Sequence, residues 1–303
     1  MELPRFIFQA REILVEKPWG GNWIAMLKGF RQSGIGESWE FSAHPSNPSE
    51  VLIKGEVISL SELFTKAKEE LLGSLADKYT SFPILVKLLD VNSRISVQVH
   101  PSDKVAATLG EEDPGKDEAW LMLNSGIIYA GFKRDVEFTE IEQIVASEKE
   151  KIFELLNKYE AKPNDTFIIG AGIVHCIEKA KILEVSTNSN LTYRICDFAG
   201  RGENLDKAKK ALNLHKSHDY EIRGKRGKIE TEKFCVEVLD VKEELEFNID
   251  TFNIVFSADG FAILKSQDEI ADLQKGYSCL VPAKTKFFTV QSENAKIIRI
   301  WPV

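Results

Sequence analysis

The sequence predicts a mainly β fold of the sandwich, barrel or jelly-roll kind, and three observations predict it. Twelve short β-prone runs recur, at 51–58, 82–89, 94–100, 119–123, 165–169, 181–186, 191–198, 234–241, 252–258, 261–265, 286–290 and 296–301, separated by Gly, Pro, Asn, Asp or Lys-rich turns. Only three segments carry helical signals, so the strands do not alternate with helices as a βαβ sheet requires. Neither G-x-G-x-x-G after a strand nor G-x-x-x-x-G-K-[ST] occurs, which removes the usual dinucleotide and nucleoside-triphosphate readings.

The helices come next. Ser59 with Glu62 makes a capping-box signature, and Leu63, Ala67, Leu71 and Leu75 then recur every four residues, predicting a helix over about 59–77. Thr139 with Glu142 repeats the signal, and Ile144, Val145, Ile152 and Leu155 extend it over about 139–160, short of Pro163. A shorter helix is predicted over 206–214.

An internal echo suggests a duplicated β architecture. Residues 165–185 align with 277–300 across one three-residue gap, which sets EKAKILEV opposite ENAKIIRI and His175 opposite Phe287. The second copy is expected to carry a core aromatic where the first carries a polar group.

Composition narrows the partners. The 303 residues carry 39 Lys+Arg and 47 Asp+Glu, a net charge of −8 spread along the chain, so a nucleic-acid surface is not expected. No run approaches the roughly 18 apolar residues of a membrane span. The first residues are charged where a signal peptide would be apolar, and the four cysteines, Cys176, Cys196, Cys235 and Cys279, are scattered singly. A cytoplasmic protein with reduced thiols is the expectation.

With only five histidines, a metal centre has few candidates. In 94–100 the apolar Ile95, Val97 and Val99 alternate with Ser96, Gln98 and His100, and a strand's two-residue period sets the three polar side chains on one face. Glu118 and His175 stand at the edges of other apolar runs, where a side chain can turn into a barrel interior. Two imidazoles, a carboxylate and an amide oxygen suit zinc or another divalent first-row metal. Taken singly, His175 reads equally well as a hydrogen-bonded core histidine and Glu118 as a surface acid. His44 reads as a loop residue, and His215 and His218 as turn residues at the C-terminal end of the short helix. Lys116, two residues before Glu118, and Arg194, alternating against Tyr193 and Ile195, are cations suited to an anion such as a phosphate monoester, or to a structural salt bridge.

The strings EKPWGG (16–21), GESWEFSAHP (36–45), ISVQVHPSD (95–103), GKDEAW (115–120), DTFIIGAGIVHCI (165–177) and LTYRICDF (191–198) resemble, in this order, the type I phosphomannose isomerases, nearest to their short prokaryotic branch. The resemblance covers about the first 220 residues. It implies a cupin fold, a double-stranded β-helix or jelly roll, duplicated into a metal-bearing barrel (1–220, with helical insertions at about 59–77 and 139–160) and a degenerate one (221–303). It implies one Zn²⁺ per chain on Gln98, His100, Glu118 and His175, and interconversion of mannose 6-phosphate and fructose 6-phosphate through a cis-enediol(ate). Arg194 and Lys116 then match catalytic positions, and Ser96, Trp19, Glu40 and Asn190 substrate-binding ones. The implied partner is a small phosphosugar, and the chain a monomer or homodimer. Asn190 stands where many relatives carry Asp, Gly170 replaces a proline, and EVSTNSN departs from the family's usual stretch. These departures keep open an isomerase or epimerase acting on another phosphosugar, such as glucose 6-phosphate, or a non-catalytic cupin that binds sugar or metal. Arg201 stands near a downstream cation of the longer enzymes, in a stretch aligned too loosely to assign it.

Overall fold

The computed structural model describes residues 7–53, 55–267 and 269–303; the charged N-terminal pentapeptide and Lys54 of the run 51–58 lie outside them. Ten strands build the first barrel: β1 Ile13–Gly21, β2 Ile35–Phe41, β3 Ile84–Arg94, β4 Val97–Val99, β5 Glu118–Met122, β6 Gly126–Phe132, β7 Leu156–Ala161, β8 Thr166–Ile169, β9 His175–Thr187 and β10 Tyr193–Cys196. They curl into one antiparallel sheet whose main path runs β7-β6-β9-β3-β1-β2, while β5 links β8 to β9 and β4 links β10 to β9. The long β9 is its spine, pairing in turn with β3, β4, β5 and β6.

β9 carries an irregularity between Glu178 and Ala180, where Lys179 adopts a left-handed φ of 51°. A bulge of this kind breaks the two-residue alternation of side chains. His175, before the bulge, and Glu184, nine residues later, therefore face the same interior.

The second barrel is a sandwich. β11 Lys228–Glu230, β12 Phe234–Val241, β14 Asn253–Asp259, β17 Ser278–Val281 and β19 Ala295–Pro302 make a five-stranded sheet in the order β11-β12-β19-β14-β17. β13 Glu244–Asn248, β15 Ala262–Lys265, β16 Ile270–Leu273 and β18 Phe287–Gln291 make a four-stranded sheet in the order β13-β18-β15-β16. Val255, Leu264, Val281, Phe288, Val290 and Ile297 share one of its core clusters. Phe287 is 40% exposed and Phe288 fully buried, so the residue aligned with His175 does not fill the core; its neighbour on the other face of β18 does.

The two barrels share a core. Val86 and Leu88 of β3, Ala119 and Leu121 of β5, and Leu183 and Val185 of β9 join one apolar cluster with Val236, Ile254, Phe256, Ile298 and Ile300 of the five-stranded sheet. These three strands are thus buried on both faces, which is why they read as almost unbroken apolar runs. A lone charge in such a run must find a partner inside the protein.

The helices depart from their sequence readings in detail. Ser59 Oγ accepts from Glu62 N (3.1 Å), but the helix breaks at Ala67 (φ −143°) into Leu60–Lys66 and Lys68–Leu72 with a short 3₁₀ turn after it. Glu137 rather than Thr139 precedes the helix Phe138–Ser147, and the predicted helix ends at Leu155. Residues 156–161 become β7 because they alternate in burial and pair with β6. His218 begins the next short helix, its N–H bonded to Glu221 (2.7 Å), instead of closing the preceding one, Leu205–Ala211.

Candidate metal centre

β4 holds the first ligand in place. Val97 and Val99 enter the core, Gln98 points into the barrel, and His100 follows at the strand's end. Glu118 opens β5 and His175 opens β9. His100, Glu118 and His175 are all buried, and their ligand atoms lie within 4.8 Å of one another. Glu118 Oε1 is 3.2 Å from His100 Nε2 and 3.5 Å from His175 Nε2, and the Gln98 amide lies 3.2 Å from His175 Nε2.

Hydrogen bonds fix which nitrogen faces inward. His100 Nδ1 meets the carbonyl of Leu191 (2.6 Å) and His175 Nδ1 that of Ile173 (2.9 Å), so each Nδ1–H donates to backbone and each Nε2 lone pair points at the shared space. His100 Nε2 and Glu118 Oε1 have no hydrogen-bond partner. Two lone pairs held 3.2 Å apart without a proton between them form an arrangement that a divalent cation relieves. The Gln98 side chain completes the set: turned about its last bond it presents oxygen, and Ser96 Oγ, 2.9 Å from the amide, can then accept as readily as it now donates.

Electrostatics holds His175 and Glu118 in their binding protonation states. Burial, helped by His100, pushes the His175 imidazole down to about 3, so it stays neutral. Burial alone would raise the Glu118 carboxyl, but the Lys116 ammonium beside it above all holds it well below the usual range. Burial likewise disfavours the Lys116 ammonium, yet Glu118 and Glu184 together raise it.

From this centre a chain of alternating charges runs along the cavity wall. Lys116 donates to Glu118 Oε2 (2.5 Å) and Glu184 Oε1 (3.1 Å); Lys87 lies 3.9 Å from Glu184 and 3.9 Å from Glu37; Lys17 closes the row 3.0 Å from Glu37. Lys87 also sits over the Trp39 ring (4.1 Å) and donates to Asn190 Oδ1 (3.3 Å). The cavity, about 200 Å³, is further lined by Trp19, Trp120, Thr192, Arg194 and Arg201. Arg194 Nε donates to the Gly202 carbonyl (2.8 Å), and Arg201 is clasped by Asp197 (2.9 and 2.6 Å).

Of the residues singled out in the sequence, Gln98, His100, Glu118, His175, Lys116, Arg194, Trp19 and Asn190 come together here. Ser96 stands behind Gln98. Glu40 does not reach the cavity: it shares its face of β2 with Ser38, and binds Lys28 (2.9 Å), Ser38 (2.7 Å) and Ser278 (3.1 Å) of the second barrel. Glu37, on the other face beside Trp39, occupies the cavity wall instead. Glu37, Lys87 and Glu184 escaped sequence reasoning, although a signal for two of them existed: Lys87 in ILVKLL and Glu184 in KILEV are lone charges in strands apolar on both faces. His44 binds Ser46 and Asp113 in its loop, and His215 is exposed.

Comparison with known proteins agrees with this architecture. Residues 10–119 match the family described as phosphomannose isomerase type I, catalytic domain, and residues 227–302 the mannose-6-phosphate isomerase cupin domain. A Bacillus subtilis protein provisionally named a mannose-6-phosphate isomerase is 31% identical over 94% of this chain and 96% of its own. The mannose-6-phosphate isomerase of Streptococcus mutans is 35% identical over 69% of this chain and 66% of its own. A solved structure from Archaeoglobus fulgidus, provisionally described as a mannosephosphate isomerase, superposes with a TM-score of 0.94 at 52% identity, covering 100% of this chain and 99% of that one. The chain belongs to the type I phosphomannose isomerases.

Proposed function

We propose that this chain is a zinc-dependent aldose–ketose isomerase, holding one Zn²⁺ and interconverting mannose 6-phosphate and fructose 6-phosphate through a cis-enediol(ate). The observation that carries the reading is the placement of three buried, converging ligand groups, His100, His175 and Glu118, beside a Lys116–Glu184 pair in a cavity lined by five cationic side chains against three carboxylates. That local excess of positive charge, in a chain of net charge −8, suits a phosphate dianion.

Each group has a task that its surroundings support. Gln98, His100, Glu118 and His175 would hold the metal, which when bound supplies a Lewis acid to the sugar oxygens. Moving a proton between C1 and C2 calls for a base at the carbons and fixed positive charge for the oxyanion. Glu184 suits the base: both of its lysine contacts run through Oε1, leaving Oε2 for the proton in flight. Lys116, gripped by two carboxylates and raised in pKa, is a standing positive charge rather than a proton acceptor. Arg194 and Arg201 would take the phosphate, with Trp19 and Asn190 along the sugar.

We place residues 1–220 as the catalytic unit and 221–303 as a degenerate cupin. No helix among the described residues is long and apolar enough to cross a membrane, and the free thiols accord with the cytoplasm. A monomer or homodimer with a phosphosugar as its partner completes the reading. Elemental analysis of purified protein beside a coupled isomerase assay tests metal and reaction together. A panel of hexose 6-phosphates followed by proton NMR tests the substrate; preference for glucose 6-phosphate would transfer the reading to another phosphosugar.

A further inference from the structure

Burial and hydrogen bonding leave one cavity group that the metal does not explain. His100 Nε2 and Glu118 Oε1 lack partners because they offer lone pairs to a cation. Trp120 Nε1 is also buried without a partner, and it is a donor only, so no cation can satisfy it. Buried N–H groups without acceptors are rare, and each calls for an explanation.

The surroundings of Trp120 are rigid and specific. It follows Glu118 by two residues on β5, so both face inward, and it lies directly opposite Glu184 on β9 and Phe167 on β8. Its ring stands edge-on to His175, centroids 5.4 Å apart at 75°, and the residue lines the cavity while being fully buried. Trp120 is therefore a same-face neighbour of Glu118 along β5 and the cross-strand partner of Glu184, the two carboxylates that Lys116 bridges. Two carboxylates beside it repel a phosphate, which Arg194 and Arg201 attract to the β10 wall. The acceptor that suits the N–H is a neutral oxygen.

We propose that Trp120 is a specificity-determining residue whose indole N–H donates to a hydroxyl oxygen of the bound sugar phosphate. The proposal rests on reading the cavity as a phosphosugar site. It gives this wall of the cavity a direct way to distinguish sugars that place or lack a hydroxyl there: an analogue without the oxygen leaves the donor unpaired in a buried place.

The test uses metal-loaded protein labelled with ¹⁵N at its five indoles, and a hexitol 6-phosphate, which has no carbonyl and does not turn over. Trp120→Phe identifies the Trp120 cross-peak by its loss; if that variant does not fold, the other four single Trp→Phe variants identify it by elimination. The expected result is a downfield shift of the Trp120 indole proton on titration. Calorimetry should show about three- to tenfold weaker binding to Trp120→Phe, the range for one neutral hydrogen bond. A deoxyhexitol phosphate lacking the contacted hydroxyl should bind both proteins alike. If the hexitol phosphate binds, with heat and a shifted Trp19 peak, while the Trp120 peak stays still, the N–H is spent on the His175 ring and the proposal is overturned. If no heat and no shift appear at any indole, the phosphosugar reading falls and the proposal with it.

Discussion

His175 and Glu184 lie an odd number of residues apart on one strand, and the same cavity receives both. Lys179, exposed and left-handed at φ 51°, makes this possible by changing the alternation of β9 between them. A non-glycine residue in that conformation costs about 1 kcal/mol. Lys179→Gly should therefore keep activity and raise stability by at most about 0.5 kcal/mol in urea titration, since the greater freedom of glycine in the unfolded chain offsets part of the strain relieved. Deleting Lys179 should turn Glu184 toward the apolar cluster between the barrels, abolishing turnover and destabilising by about 3–5 kcal/mol, the cost of a buried unpaired charge. An active deletion variant would show that the bulge does not set the register.

Glu184→Gln should lower kcat by about 10²–10⁴-fold, the usual share of general acid–base catalysis, while the metal content by elemental analysis stays at one per chain. Loss of metal in the same variant would move Glu184 from proton transfer to metal support.

His100→Ala should lose both metal and turnover with its fold retained by circular dichroism, because the remaining donors leave the site short of an imidazole. Chelation of the wild-type protein should abolish activity, and Zn²⁺ should restore it. Full activity after chelation would remove the metal from the reaction.

Arg194→Ala should raise KM about tenfold or more with a smaller change in kcat, as expected for a charged hydrogen bond to a part of the substrate that does not react. Asp197→Asn tests the neighbouring cation: loosening the clasp on Arg201 should change KM and leave metal content untouched. A change confined to kcat in both variants would place these arginines at the reacting carbons instead.

The Glu37 carboxyl offers a pH test. Burial would raise it, but Lys87, Lys17 and the Trp39 N–H outweigh burial and hold it below its ordinary 4.5. A carboxyl depressed in the folded state contributes stability above its unfolded value, and that contribution disappears as pH falls through the folded one. The stability advantage of wild type over Glu37→Gln should thus be constant near neutrality and shrink below pH 4.5 in denaturant titrations. An advantage that persists unchanged at pH 3 would contradict the ion-pair account.

Much of the centre was legible because its ligands sit where a simple period holds. Ser96, Gln98 and His100 alternate without interruption, and Lys116 and Glu118 share a side two residues apart. Glu184 stands out as a lone charge in KILEV, but that it faces the same way as His175 was hidden by the bulge, which no propensity at Lys179 announces. Glu37 was hidden because IGESWEF, with Gly, Ser and two Glu, does not read as a strand although all seven residues are buried; four residues of GESWEF are polar or small, and their burial follows from tertiary partners such as Lys17, Lys28 and Ser278. Glu40 matches a pocket position in the family string, yet side-chain parity sends it to the opposite face, onto Lys28 and Ser278. Among the helices, starts were read within a residue or two and ends were not, since the break at Ala67 and the passage of 156–161 into β7 are decided by pairing with distant strands.

The apolar cluster shared by the barrels has a mechanical consequence. β3, β5 and β9 carry Lys87, Glu118 and Glu184 on their inner faces, and on their outer faces they rest on Phe256, Ile298 and their neighbours. Trimming a side chain of the five-stranded sheet therefore loosens the backs of the three strands that hold the cavity's charges. The second barrel is the anvil against which the first keeps its shape.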